Sequence, residues 1–297
     1  MEINENMLSI IICSRSSQLP DALVQNIAET VGVDYELLVI DNSSSTYSIF
    51  SAYNEGVMRS RGNVICFMHE DIMFYSKDWG RKAIDRFRDE NIGVVGVVGS
   101  NYMPQCPAGW WMTSTIGHEQ KEVFENGNVK KSLVEYSKQV TSEEFAVVVD
   151  GFWFCMPRRV FELVKFDDVR FDGFHCYDND ICMQVINCGY KIVVARDILI
   201  EHKSEGVLNK QWVINVNVWY NKWKKYLPMN VVDDFTVINE KAVIAHCCNK
   251  YSILLFANRM YGLAFRYYLK SIFYYPYKIS RYKIFIADYI MQKKTKK

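Results

Sequence analysis

The sequence predicts an α/β fold on a parallel sheet with right-handed crossovers, and three observations carry that expectation. Strand and helix patterns alternate as strand, helix, strand, helix, strand within the first 68 residues. Polar loops follow each of these strands on what would be a single edge, where ligands bind in such sheets. The third strand, Val64-Ile65-Cys66-Phe67-Met68, ends abruptly in His69-Glu70-Asp71, groups that hold cations or accept protons.

Residues 8–13 (LSIIIC) read as a buried first strand, followed by the polar loop Ser14-Arg15-Ser16-Ser17. Residues 20–30 have helical spacing through Leu23 and Ile27, with Pro20 placed to start the helix. Residues 35–40 form a second strand ending in Asp41-Asn42-Ser43, 49–59 a helix closed by Arg61-Gly62-Asn63, and 64–68 the third strand. Further on, 79–88 predict a helix and 92–98 a buried strand, before an irregular aromatic stretch through Trp110 and Trp111. Residues 121–140 are polar, a surface excursion or hairpin. Residues 147–156 resume a core strand and 157–164 turn into a short helix. A loop rich in Gly, His and aromatics, 171–177, enters a helix over 178–187 that Gly189 caps. Strands over 190–195 and 198–202 follow, the second ending in His202-Lys203-Ser204, and then an amphipathic helix over 212–226.

A hydrophobic content of 49% against 23% charged residues fits a soluble globular protein with a real core. The net charge of +1 hides an asymmetry: from Lys250 onward there are eleven Lys and Arg against the single acid Asp288, leaving about −9 on the rest. Nine cysteines, an odd number with no CxxC pair, in a chain opening MEINENML, predict reduced thiols and a cytoplasmic location. No stretch reaches about 18 uninterrupted apolar residues, so no transmembrane helix is expected. The first strand lacks GxGxxG, which argues against a dehydrogenase or nucleotidyltransferase. The acidic front and the lack of a recognised motif in the tail argue against nucleic acid.

His69 and Asp71, two apart on extended backbone, point the same way and can face one metal ion, whereas Glu70 points oppositely and is structural or solvated. On residue types alone, an ion site and a solvated strand end both stay open.

The ordered set SRSS, DNSSS, Tyr53-Asn54-Glu55-Gly56 and RGNVICFMHEDI resembles a family 2 glycosyltransferase. Val149-Asp150-Gly151-Phe152 and residues 174–191 (FHCYDNDICMQVINCGYK) are similar to that family's ED-x-D-hydrophobic and GY-[KR] segment. The resemblance covers about residues 7–227, and the nearest subgroup is bacterial glycosyltransferase-like proteins with H-x-D in place of D-x-D. It implies the GT-A fold, a Rossmann-like mixed, mainly parallel sheet flanked by helices, and a C-terminal helical extension is expected outside the resemblance. The implied units are a catalytic domain over 1–228 and a basic, aromatic extension over 229–297.

The resemblance also implies roles. Asp41 would meet the uracil or ribose of the donor, an ordinary Asx turn being the alternative, with Ser14 and Arg15 lining the same pocket. Asn54 would lie near the nucleotide or simply face solvent. Asp71 would hold a divalent cation, Mn²⁺ or Mg²⁺, that bridges two phosphates. His69 would either join it, favouring Mn²⁺, or donate a hydrogen bond to sugar or phosphate. His202 would complete the metal site, and is otherwise a surface histidine, with Lys203 and Ser204 assisting the departing diphosphate. Asp178 would be the general base of an inverting transfer, or a helix cap, with Asp180 the second candidate; Tyr177 stands where the family has Glu. Asp150 would touch the donor sugar. Trp110, Trp111, Trp153 and Phe174 are candidate stacking platforms, and His175 an acceptor or sugar contact.

The activity so implied moves a sugar from a nucleotide-sugar donor, foremost a UDP-sugar, to a glycan or lipid-linked acceptor in bacterial surface polysaccharide synthesis. The alternative is a catalytically silent nucleotide-sugar binder or scaffold, favoured by the H-x-D and Tyr-Asp departures. In the tail, Arg259, Arg266 and Lys270 fall among Leu263, Phe265, Tyr267 and Phe273. That pattern fits either a helix lying on the inner face of an anionic membrane through 250–297, or a helical cap on the domain or on a second copy in a homo-oligomer.

Overall fold

The run Leu8-Ser9-Ile10-Ile11-Ile12 is too apolar to leave either face in water, and Leu8, Ile10, Ile11 and Ile12 are all completely buried inside a seven-stranded sheet. The structure is a computed structural model that describes residues 3–125, 128–137, 141–204, 206–231 and 239–276. From edge to edge the sheet runs Glu143–Ala146, Lys191–Ala195, Ile92–Gly96, Trp153–Pro157, Gly62–Met68, Asn4–Ser14 and Tyr35–Asp41. The pairs around Asn4–Ser14 are parallel, with Ser14 level with Asp41 and Ile12 level with Met68, so the loops carrying Arg15, Asp41 and His69 leave from one edge. Trp153–Pro157 runs antiparallel to both its neighbours, as does Glu143–Ala146 to Lys191–Ala195, which makes the sheet mixed but mainly parallel.

The helix Ile49–Arg59 has the expected bounds, and Ser48 caps it by accepting from the Ser51 N–H at 3.2 Å. It packs so closely on the first strand that a Cβ at Gly56 would lie 2.4 Å from Ile11 Cγ2, which is why a small residue stands there. Asp21–Thr30, Trp79–Arg86, the short Arg158–Phe161 and Tyr177–Asn187 also precede the extension and fall where the sequence placed them.

Two expected strands are each divided. The run 92–98 splits into Ile92–Gly96 in the main sheet and Val98–Ser100 in a second one, and 147–156 splits into Val148–Val149 and Trp153–Pro157 in the same way. The first run stays buried while changing sheets, so its apolar pattern carries no sign of the break, whereas the second breaks at the half-buried Asp150 and at Gly151. Glycine permits the crossing: a Cβ at Gly99 would lie 2.1 Å from the Val148 carbonyl oxygen. The second sheet orders Val148–Val149, Val98–Ser100, Thr115–Glu125, Ile200–His202 and Ile72–Phe74, with Asn128–Glu135 closing a hairpin on Thr115–Glu125. That hairpin is the polar excursion.

The helix Lys210–Trp223 ends three residues short of its expected bound, and Met229–Asn230 then pairs with Tyr102–Met103. Helices Glu240–Ala257 and Tyr261–Tyr274 pack back on the domain. Tyr251 Oη donates to the Val213 carbonyl at 2.7 Å, and Lys270 Nζ lies within 5.9 Å of the ring centroids of Tyr220, Tyr267 and Tyr274. One charge of the expected basic face is therefore turned inward as part of a helical cap. Tyr261, Phe265, Leu269 and Phe273 are exposed on the other side of that helix. Residues 277–297, which hold most of the tail's basic residues, lie outside the described residues. Among the described residues no helix is long and apolar enough to cross a membrane.

Candidate active site

His69 leaves the central strand Gly62–Met68 with its N–H donating to the Phe152 carbonyl at 2.9 Å. Two residues on, the chain re-enters a sheet as Ile72–Phe74, which pairs antiparallel with Ile200–His202 and sets His202 opposite Ile72. Two strand ends thereby bring His69, Asp71 and His202 together. Their ligand atoms all lie within 4.8 Å of one another, with His202 Nε2 3.5 Å and His69 Nδ1 3.9 Å from Asp71 Oδ1. Two imidazoles and one carboxylate form a nitrogen and oxygen set that suits Mn²⁺ better than Mg²⁺, so the residues present fit a divalent cation.

The electrostatics agree with that use. Burial pushes His69 down to about 3, helped by the charge of His202 and opposed by Asp71, so the ring is neutral at physiological pH. Burial works to raise the Asp71 carboxyl, but hydrogen bonds with His202 and Ser204 outweigh it and hold it well below the usual range. Burial likewise opposes protonation of His202, and its bond to Asp71 and the charge of Asp150 outweigh that and raise it. The His202 ring is stacked on Phe152, centroids 4.8 Å apart.

Asp178 lies in the first turn of Tyr177–Asn187, whose cap is Cys176 at φ 69°, so it is not the cap residue. Its Oδ2 accepts from the Gly151 N–H at 3.1 Å and its Oδ1 from the Asn179 N–H at 2.8 Å. Burial pushes this carboxyl up to about 7, with the negative charge of Asp150 adding to it and the backbone donors opposing. Asp150 accepts from the Phe152 N–H at 3.2 Å and is itself raised by burial, against the pull of His202. Asp150 and Asp178 therefore interact across the point where the chain changes sheets.

Several sequence expectations land elsewhere. Ser14 is buried and its hydroxyl is taken by the Glu70 carboxylate on one side and the Ser16 N–H, at 3.0 Å, on the other, so it ties two strand ends together. Glu70 is thereby structural. Asp41 is exposed and accepts from the Ser43 N–H at 2.9 Å, which is the Asx turn, at the rim beside Ser14. Arg15 is exposed, and its charge reaches His69.

Asn54 is a correction. Its amide nitrogen donates to the Phe166 carbonyl at 2.9 Å and its oxygen accepts from the Phe166 N–H at 3.1 Å, so both ends are consumed by backbone 112 residues away. Asn54→Ala is expected to cost about 1–3 kcal/mol in urea unfolding while leaving donor affinity unchanged, since it strands two backbone groups. A weakened donor affinity at unchanged stability would return Asn54 to the nucleotide site.

Asp180 is a second correction. It is 1% exposed and accepts from Lys222 Nζ at 2.9 Å, Trp223 Nε1 at 2.8 Å and Gln184 Nε2 at 2.8 Å. All of its neighbours belong to the packing of two helices, so it is no base for a substrate hydroxyl. Trp153 is completely buried with its ring edge-on to Trp79 at 6.0 Å, and Trp110 is 8% exposed, which removes both as platforms. Phe174, 5.2 Å from the His69 ring, and Trp111 are the exposed aromatics of the four.

Sequence reasoning missed Tyr177 as a partner of His69, Oη to Nε2 2.7 Å, although the residue was visible as a departure from the family pattern. It also missed buried Glu119, ion-paired with Lys121 at 3.0 Å on the hairpin, whose charges bear on Asp150. No spacing in the sequence points to them.

A family model described as "Glycosyltransferase like family" matches residues 9–230. No curated protein matches the sequence. Among solved structures, GalNAc-T7 with UDP, GalNAc and Mn²⁺ is similar at a TM-score of 0.51 and 11% identity, covering 93% of this chain. This chain spans 58% of GalNAc-T7. The mannosyltransferase PcManGT from Pyrobaculum calidifontis, in complex with GDP-Man and Mn²⁺, gives a TM-score of 0.48 at 10% identity, covering 93% of this chain and 88% of that one. At such identities the likeness to GalNAc-T7 speaks for the fold.

Proposed function

The chain belongs to the glycosyltransferase-like family with the GT-A fold, and from that premise we propose an inverting, metal-dependent transfer from a nucleotide-diphosphate sugar, foremost a UDP-sugar. The acceptor in this reading is a hydroxyl of a glycan or lipid-linked saccharide in bacterial surface polysaccharide assembly. One observation carries it: a trio fit for a divalent cation stands at the sheet edge where a half-buried carboxyl, raised to about 7, is held by the Gly151 N–H. A bound cation would offset the charge of the departing diphosphate. Asp178 is the base: Gly151 and the helix terminus hold its carboxylate, and its raised affinity for a proton suits removal of a hydroxyl hydrogen near neutral pH. Asp150 disfavours the ionised form of Asp178 and so strengthens it as a base. Arg15 and Asp41, both exposed at the rim, are offered to phosphate and to nucleoside, and Phe174 to a sugar face.

The outward row Tyr261, Phe265, Leu269 and Phe273, with exposed Arg259 and Arg266 nearby, supports contact with an anionic membrane where a lipid-linked acceptor resides. The test of the activity is a screen of nucleotide sugars with Mn²⁺. A UDP-sugar is expected to raise the melting temperature, stabilisation reaching about 2.7 kcal/mol at a hundredfold excess over Kd, and to yield free UDP. Failure of every UDP compound to stabilise the protein would reject the donor assignment.

A further inference from the structure

We propose that Tyr177 is a positioning residue that aims His69: its phenol oxygen takes the Nε2 hydrogen, so the bare Nδ1 is turned to the cation position between Asp71 and His202. This inference rests on the metal-dependent reading above. The two residues are 108 positions apart in sequence, and their side chains meet at 2.7 Å.

The geometry fixes both partners. Tyr177 is 3% exposed, with its ring set between Tyr53 at 5.5 Å and Phe174 at 5.9 Å and edge-on to Phe50 at 6.3 Å. Its hydroxyl rests against Gly151, where any Cβ would stand 2.2 Å from the oxygen. His69 is held from behind by its backbone bond to Phe152. An uncharged imidazole has one N–H and one bare nitrogen, and a ligating histidine commonly donates the hydrogen to a fixed acceptor behind it. Nδ1 lies 3.4 Å from His202 Nε2 and 3.9 Å from Asp71 Oδ1, too far for good hydrogen bonds. Two ligands at right angles, each about 2.1 Å from a cation, stand about 3 Å apart, so these separations need only a small contraction around an ion. An aspartate at position 69 would need no such partner, since either carboxylate oxygen can bind.

Tyr177→Phe, which keeps the ring and its packing, and His69→Asp, made singly and together in the full chain, test the pair. Mn²⁺ uptake in the presence of UDP is followed by electron paramagnetic resonance, and the His69 tautomer by ¹H–¹⁵N correlation in metal-free protein. The wild type is expected to carry its hydrogen on Nε2, and Tyr177→Phe to weaken Mn²⁺ binding about 10–100-fold. In the His69→Asp background the same substitution should cost less than about threefold. An Nδ1 hydrogen in the wild type, an unchanged Mn²⁺ affinity in Tyr177→Phe, or an equal loss in both backgrounds would each overturn the pairing. No Mn²⁺ uptake by the wild type would overturn the metal-dependent reading and the pairing with it, whereas uptake that Tyr177→Phe leaves unchanged sinks the pairing alone.

Discussion

Asp178→Asn is expected to lower kcat by about 10²–10⁴-fold with little change in donor affinity, because it removes the proton acceptor and keeps the shape. The pH profile gives the sign. Burial raises the folded carboxyl from 3.8 to about 7, so the base is protonated and idle below that pH. Activity should therefore rise through a single limb near pH 7, and Asp178→Asn should flatten it. Stability runs the opposite way. A carboxyl whose folded value is raised stabilises the fold below the ordinary carboxylate range, and that contribution disappears as pH climbs to about 7. Asp178→Asn should then melt at a higher temperature than wild type at pH 8, a gain in stability made by giving up function. A variant that keeps wild-type UDP release and the same pH limb would dismiss Asp178 as the base.

Asp71→Ala should be the most damaging change on the opposite side of the site. It deletes the only oxygen ligand of the trio and the carboxylate that raises His202. A cation contributes several kcal/mol to a developing negative charge, so kcat/KM with Mn²⁺ should fall about 10³-fold or more, about 4 kcal/mol. The check is a Mn²⁺ titration of initial rates in both proteins. An unchanged Mn²⁺ dependence in Asp71→Ala would move the cation elsewhere.

Much of this was readable in the chain because strand ends are local events. The apolar run 64–68 that stops at His69, and the shorter run 198–200 two residues before His202, mark an edge without knowledge of what they face. Helix Ile49–Arg59 was likewise readable from its periodicity. The failures share another cause: the deciding partner lies far away in sequence. Nothing near Asn54 hints at the Phe166 backbone, and nothing near Asp180 hints at Lys222 and Trp223 from another helix. In the run 92–98 the division leaves no trace because burial is continuous across it, and all-apolar patterns report burial, not which sheet a residue joins; in 147–156 the one local mark is Asp150-Gly151.

The crossing at Asp150-Gly151 has a consequence for redesign. One short stretch anchors Val148–Val149 in the sheet that carries the hairpin and Trp153–Pro157 in the seven-stranded sheet, with the Gly151 N–H on Asp178, at the start of the helix Tyr177–Asn187, between them. Val98–Ser100 joins the hairpin to Val148–Val149, so a foreign hairpin grafted there would pull on that amide. Variants of the hairpin are therefore best made with residues 148–153 held fixed.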